Sequence, residues 1–397
     1  MPRPAKGVHA FVVDDELVVL SEAAQRLYAL NTAAAVIWIG VEDGLSRDGL
    51  ARSLHERSSI PFAQAAAFVA DSLRLWDEAG LLAGSERAQA AGPPPGPASG
   101  AVEPVFDSPM VLRDARVYAV LGTAFGIACT EPAQEARLHP VLSHLAQPDR
   151  LPDMRISIVA EAGRHRIALN DATSASVAIE ELAPSVVALL ARTAANRRPF
   201  LLGIHAGAVA HGEQALLLPA PAGSGKSTLT AALVQSGLTY LCDDLALLED
   251  ASLGVLPAPL PISLKQGAWA ALRPMFPAID TLALHHREDG MLIRYLPPPT
   301  GQLPASDAGL GVRSIVFPRY KADAPTVLTP LGRAETLRRL LGQCLAVKLP
   351  LTRARVAGLI GWLRGVRCHE LSLSSLPSAV DLVRAELAAA APQEAPS

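Results

Sequence analysis

The stretch "ALLLPAPAGSGKSTLTAALVQSG", residues 215–237, constrains this chain more than any other. Four apolar residues, Ala215 to Leu218, read as a buried strand. A Pro- and Gly-rich turn follows, and Ser227 to Ser236 reads as a helix that stops at Gly237. Gly223 and Gly225 free the backbone to turn its N–H groups inward. The helix N-terminus adds partial positive charge. Gly223, Ser224, Gly225, Lys226, Ser227 and Thr228 thus form a loop suited to nucleotide phosphates. Lys226 can reach the outer phosphates and Ser227 can ligate magnesium. The common pattern places glycine where this chain has Ala220, at the loop's entry, where less backbone freedom is needed.

A second acidic signal lies close behind. "CDD", Cys242 to Asp244, ends the apolar run "LTYL". Paired carboxylates beside a phosphate loop either hold magnesium or accept a proton from an attacking hydroxyl. His205, in "GIHAG", precedes the loop by one hairpin. His211 falls in the turn "AHGEQ" and is set aside. The expected cofactors are ATP and Mg2+.

Composition narrows the partners. At 397 residues the chain has room for two or three domains. Half of its residues are hydrophobic, which is a globular composition, and the net charge of −3 excludes a strong pull toward nucleic acid or an anionic membrane. The four cysteines are far apart with no CxxC pair, so neither a zinc site nor a redox dithiol is expected. Isolated thiols suit a reducing compartment. No secretory apolar core and no bilayer-length apolar run occurs, so the expected location is cytoplasmic.

The sharpest break is Gly84 to Pro104, rich in Pro, Gly and Ala, which reads as a linker. The expected organisation is an N-terminal domain at 1–83 and a linker at 84–104. A subdomain at 105–200, an ATP-binding catalytic domain at 201–390 and a frayed tail at 391–397 follow. In the first domain, "HAFVV" and "LVVLS" flank "DDE" as a hairpin, and "RLYAL" follows as a third strand. Asn31 and Ser46 are placed to cap two helices. A third helix, from Phe62 to a stop at Gly80, is expected to carry Phe68, Leu75 and Trp76 near one face. "LTYLCDDLALLED" reads as a strand pair.

The residues "LYALNTAAAVIW", "EDG" and "FVADSLRLWDEAGLL" resemble the PqqD-like family, the peptide-recognition element of ribosomally made, modified peptides. The resemblance covers roughly Val8 to Leu82. It implies a small winged-helix-like α+β domain of three strands and three helices that binds a precursor's leader. The leader would lie along Arg26, Leu27, Tyr28, Ala29 and Leu30, an edge strand. Trp38 and Trp76 are expected in the core.

"HAGAV", "PAGSGKSTL" and "CDDLALL" resemble HPr kinase/phosphorylase and its HPr-related kinases, whose core is shared with ATP-type carboxykinases. This resemblance covers about Ile204 to Trp269. It implies a P-loop α/β kinase domain in which His205, Lys226, Ser227, Asp243 and Asp244 fall on functional positions. Asp243 would be the general base, and Asp244 would help Ser227 hold magnesium. The family's later acidic-arginine motif is absent, since "PLPISLKQGAW" has Ser263 and Lys265 there. A second metal ligand and a phosphorylase activity are therefore not implied, while Lys265 could take the arginine's place as a phosphate contact. The expected function is ATP-dependent transfer to a Ser- or Thr-type hydroxyl of a precursor peptide or small protein. A nucleotide-dependent peptide chaperone and a carboxykinase-like metabolic enzyme are the alternatives. The bacterial relatives' assemblies leave a homo-oligomer open.

Overall fold

The computed structural model describes residues 1–84 and 115–389. The expected linker beyond Gly84, the start of the expected subdomain and the tail at 391–397 lie outside the described residues. Those described form a mixed α/β protein with ten α-helices and 21 strands. Its contacts divide it into two units. Gly332–Arg338 and Pro350–Arg364 join the N-terminal stretch in the first, and the rest forms the second.

In the first unit, β1 (Val8–Val13), β2 (Glu16–Ser21) and β3 (Arg26–Leu30) form an antiparallel sheet in that order. Helices α1 (Thr32–Glu42), α2 (Arg47–Ser58) and α3 (Phe62–Glu78) follow. Asn31 Oδ1 accepts the Ala34 N–H at 2.9 Å, and Ser46 Oγ accepts the Gly49 N–H at 3.2 Å. Each cap satisfies a donor that the helix leaves orphaned, an effect of about 1 kcal/mol. Leu17, Val19, Leu30, Ile37, Leu50 and Leu54 pack around Trp38 and Trp76. Those two rings meet edge to face at 5.0 Å.

The expected apolar face of α3 needs correcting. Ala65, Val69, Leu73 and Trp76 are buried, while Phe68 and Leu75 are exposed. Consecutive residues stand about 100° apart around a helix. Burying Trp76 therefore turns Leu75, and Phe68 two turns before it, away from the core.

Residues 332–338 and 350–364, which the linear reading assigns to the catalytic domain, are held in this unit by backbone contacts. Asp14, at the β1–β2 turn, accepts the Arg333 N–H at 2.6 Å and pairs with its guanidinium at 3.1 Å. Gln25 Oε1 accepts the Leu351 N–H at 2.6 Å, and Gln25 Nε2 donates to the Leu351 carbonyl at 3.2 Å. Glu22 accepts the Arg353 N–H at 2.8 Å.

The second unit begins with β4 (Arg116–Val120), β5 (Thr123–Cys129), β6 (Met154–Glu161), β7 (Arg164–Leu169) and β8 (Ala172–Val177). They form a five-stranded sheet in that order, accompanied by α4 (Pro132–Leu142) and α5 (Leu182–Asn196). Next come β9 (Leu202–Ile204), β10 (Ala206–His211), β11 (Gln214–Pro219), α6 (Lys226–Gln235), β12 (Thr239–Cys242) and β13 (Ala246–Leu248). After these follow β14 (Val255–Leu256), β15 (Ile262–Lys265), α7 (Gln266–Leu272), β16 (Leu284–His286), β17 (Leu292–Leu296), β18 (Gly311–Tyr320) and β19 (Val327–Pro330). Helix α8 (Arg333–Gly342), β20 (Cys344–Val347), α9 (Arg353–Arg364), β21 (Arg367–Leu373) and α10 (Leu376–Ala388) complete the order; of these, α9 and residues 333–338 of α8 lie in the first unit.

A six-stranded sheet, β12-β10-β11-β18-β21-β19, has β11, β18 and β21 parallel at its centre. Its core joins Leu216 and Leu218 of β11 to Leu229 and Leu233 of α6 and to Val380 and Val383 of α10. A four-stranded sheet has the order β14-β13-β9-β20. The expected strand pair at 238–250 is corrected here. β12 and β13 are both strands but join different sheets, because the chain turns between them at Asp243 and Asp244. Among the described residues no helix is long and apolar enough to cross a membrane.

Candidate functional site

Two changes of sheet build the site. The chain leaves the four-stranded sheet after β9 and enters the six-stranded one at β10, with His205 between. It makes the reverse change after β12, with Asp243 and Asp244 at the crossing. Because β9 pairs with β13 and β10 with β12, the two crossings are neighbours. Residues 39 positions apart are thereby brought together: His205 Nε2 lies 3.3 Å from Asp244 Oδ1.

The glycine-rich loop enters the same place from β11. Gly223 and Gly225 have φ of 86° and 90°, conformations that other residues rarely adopt. Ala220 is not among the residues with positive φ, which explains why glycine is not needed at the loop's entry. Ala220 is buried, and its N–H points to the His205 carbonyl at 3.4 Å. Helix α6 starts at Lys226, so the first N–H groups of the helix, through Thr228, carry no partner from within it.

Lys226 Nζ donates to Asp243 Oδ1 at 2.9 Å and to Asp244 Oδ1 at 2.5 Å. Ser227 Oγ donates to Asp243 Oδ1 at 3.1 Å. The side chains of Lys226 and Asp243 are 5% and 1% exposed, while that of Asp244 is 44% exposed. Five expected residues, His205, Lys226, Ser227, Asp243 and Asp244, therefore share one cluster.

Burial pushes the Asp243 carboxyl above the usual carboxylate range; the Lys226 ammonium opposes the shift and the Asp244 charge adds to it. For Asp244 burial also acts upward, but the His205 hydrogen bond and Lys226 outweigh it and hold this carboxyl well below its ordinary value. Burial acts to lower the Lys226 pKa, and the two carboxylates reverse that, keeping the ammonium charged. Two adjacent acids are thus driven in opposite directions.

Three polar atoms near these elements lack partners. Asp243 Oδ2, Ser224 Oγ and Ser263 Oγ are buried with no hydrogen bond. A buried carboxylate oxygen left so is costly unless something fills the role. Asp244 also has φ of 69°, uncommon outside glycine, which points its side chain back to Lys226 and His205.

The oxygen donors at hand, Ser227 Oγ and the two aspartates, suit a magnesium ion, which takes one or two carboxylates and completes its shell from phosphates and water. Among the described residues no group of three or more His, Cys, Asp and Glu gathers as a metal cage. The orphaned Asp243 Oδ2 agrees with a site completed by its ligand. Lys265 ends β15, opposite Ile293 in the three-stranded sheet β15-β17-β16. No hydrogen bond or ion pair among the described residues joins Lys265 to the cluster.

Sequence reading missed Gly207. A side chain there would collide with Thr230 Oγ1 and would meet Lys226 Cγ and Asp243 Oδ1 at 3.6 Å. Only glycine lets β10 lie this close to α6. The run of small residues in "HAGAVAH" is the signal that could have found it.

In the first unit, the Arg26–Leu30 strand lies at the sheet's edge, paired among the described residues only with β2. Tyr28 and Leu30 stand opposite Val19 and Leu17 and pack on the core, which settles the face that faces the helices. Arg26 and Ala29 are exposed, and Leu27 is half-buried.

No protein-family model and no curated protein matches the chain. Among solved structures it is similar to TbiB1 in complex with the TbiA(beta) leader peptide, at 22% identity over 21% of this chain and 95% of that one, with a TM-score of 0.20. It is also similar to the Hpr(Ser) kinase/phosphatase from Coxiella burnetii, at 13% identity over 46% of this chain and 94% of that one, with a TM-score of 0.23.

Proposed function

We propose that this protein is an ATP-dependent phosphotransferase acting on a Ser- or Thr-type hydroxyl of a ribosomally made precursor peptide. The observation that carries the reading is the cluster of Lys226, Ser227, Asp243 and Asp244 at the start of a helix that follows a glycine-rich turn. In this reading the backbone N–H groups of Gly223 to Thr228 hold the phosphates. Lys226 leaves the carboxylates and neutralises the outer phosphate oxygens. Ser227 and Asp244 would hold magnesium, which when bound supplies charge neutralisation on the phosphates.

Asp243 is the base. The acceptor oxygen bonds to the γ-phosphorus, the bond from that phosphorus to the bridging oxygen breaks, and ADP leaves. The hydroxyl proton passes to Asp243 Oδ2, the oxygen without a partner. A carboxyl raised by burial is better suited to take that proton than an ordinary one. His205 orients Asp244 and holds it ionised.

The N-terminal unit serves as the winged-helix-like, PqqD-like leader reader. The free edge of β3 offers unpaired N–H and C=O groups, and an extended leader would add there as a fourth strand. Holding the leader raises the local concentration of the acceptor.

The test is incubation of the full chain with magnesium, ATP and synthetic candidate precursor peptides, each with its leader, read by mass. Gain of one phosphoryl group, lost in Asp243→Asn, is expected. ATP that binds without any transfer would favour the peptide-chaperone alternative. No ATP binding at all would remove the assignment.

A further inference from the structure

The glycine-rich loop has a neighbour that none of the roles above uses. β18 runs parallel to β11, and its last residue, Tyr320, donates its N–H to the Ser224 carbonyl at 3.1 Å. The next residue, Lys321, donates to the Leu373 carbonyl at 3.0 Å, so the Tyr320 backbone is fixed on both sides. Tyr320 Cβ lies 3.7 Å from where a side chain on Gly225 would begin. The ring therefore starts beside the residue that precedes Lys226.

Ser314 to Pro318 of the same strand are buried, but Tyr320 is 56% exposed. It stands at the carboxyl end of a central parallel strand, where open α/β sheets receive their ligands. Position decides which part of a ligand it would meet. His205, Asp243 and Asp244 all lie on the β10–β12 side of β11, and β18 lies on the other side. With the transferred phosphoryl group among the carboxylates, the far end of the nucleotide runs toward β18.

We propose that Tyr320 is the stacking platform for the base of the nucleotide whose phosphates rest on this loop, an inference that depends on the kinase reading above. A phenol ring offers its face to any base, since every base has a π-face. The platform therefore accepts purines and pyrimidines with little discrimination. Tyr320 holds the substrate and takes no part in the chemistry.

The experiment is calorimetric titration of the full chain with magnesium ATP, magnesium GTP and inorganic tripolyphosphate. Tyr320→Ala is expected to weaken both nucleotides by about five- to a hundredfold, the range for losing one stacked base, and to leave tripolyphosphate unchanged. Tyr320→Phe, which keeps the ring, should retain wild-type affinity. The side chain is exposed, so both variants should melt with the wild type. Unchanged ATP affinity in Tyr320→Ala overturns the proposal. Equal weakening of tripolyphosphate also overturns it, because the ring would then act through the shape of the loop. A wild-type protein that binds none of the three loses the kinase reading, and the platform with it.

Discussion

The carboxylate cluster and the β3 edge are opposite kinds of candidate site. At the cluster, Lys226 and Asp243 are buried and the charged groups are over-determined: one ammonium holds two carboxylates, and a hydroxyl and an imidazole hold those carboxylates from other sides. At the edge, the groups that would read a leader are backbone N–H and C=O along a strand with one partner among the described residues. The first arrangement favours one geometry and one chemistry. The second accepts many side chains, because a ladder reads the backbone and only the pockets read sequence. Single side-chain changes should therefore be severe in the first and mild in the second, where the backbone itself must be altered.

The largest effect is expected from Lys226→Met. It removes the cation aimed at the outer phosphates, and removing one such charge stabiliser costs about a hundred- to a thousandfold in transfer. It also leaves Asp243 buried without its cation, a loss of about 3–5 kcal/mol. Transfer assays and urea melts should both register it. Full activity in this variant would break the comparison at its stronger end.

Asp243→Asn should follow, with ATP still bound and transfer reduced by about a hundredfold or more. The amide keeps the shape but takes no proton. Equal loss of ATP affinity and of transfer would instead assign Asp243 to the metal.

Acid should separate the units. Every acidic, basic or histidine side chain among the described buried residues, namely His165, Lys226, Asp243 and His285, belongs to the second unit. Burial, assisted by Arg137 and His286, lowers the His285 pKa from 6.5 to about 4. The unfolded chain therefore takes up this proton first as pH falls, and stability is lost from pH 6.5 down to 4. For His285 the loss between pH 7 and pH 5 is about 2 kcal/mol. Amide exchange at the two pH values, corrected for intrinsic rates, should show the second unit weakened and the first unchanged. His285→Gln should reduce the difference.

The smallest effect is expected at the edge. Leu27→Pro removes one donor from the free edge, and Leu27→Ala keeps it. Leader affinity should fall by about tenfold in the first, on the scale of one net backbone hydrogen bond. It should fall less in the second, with ATP affinity unchanged in both. Greater harm from the alanine would show that the edge is read through side chains.

How much of this was legible in the sequence varies by element. The caps at Asn31 and Ser46, the hairpin around Asp14 and the turn at Gly223 and Gly225 obey local rules, and each appears where those rules place it. The buried face of α3 was misread because three large apolar residues suggested it, whereas the observed stripe includes Ala65. Gly207 was missed because its constraint comes from Thr230, which is distant in sequence.

By itself the sequence determined the glycine-rich turn between a strand and a helix, the acidic pair after it, and the edge-strand candidate. Those depend on φ preferences, capping and hydrophobic period, which act within a few residues. Tertiary structure alone decided that His205 meets Asp244 and that Asp243 keeps one oxygen unpartnered. It also grouped Gly332–Arg338 and Pro350–Arg364 with the first unit and set Tyr320 against the loop. Each of these arises where strands cross between sheets, or where the side chain or backbone of one segment satisfies that of a distant one. Pairings of that kind are fixed by packing and by the need to satisfy buried polar groups, which no short window of sequence contains.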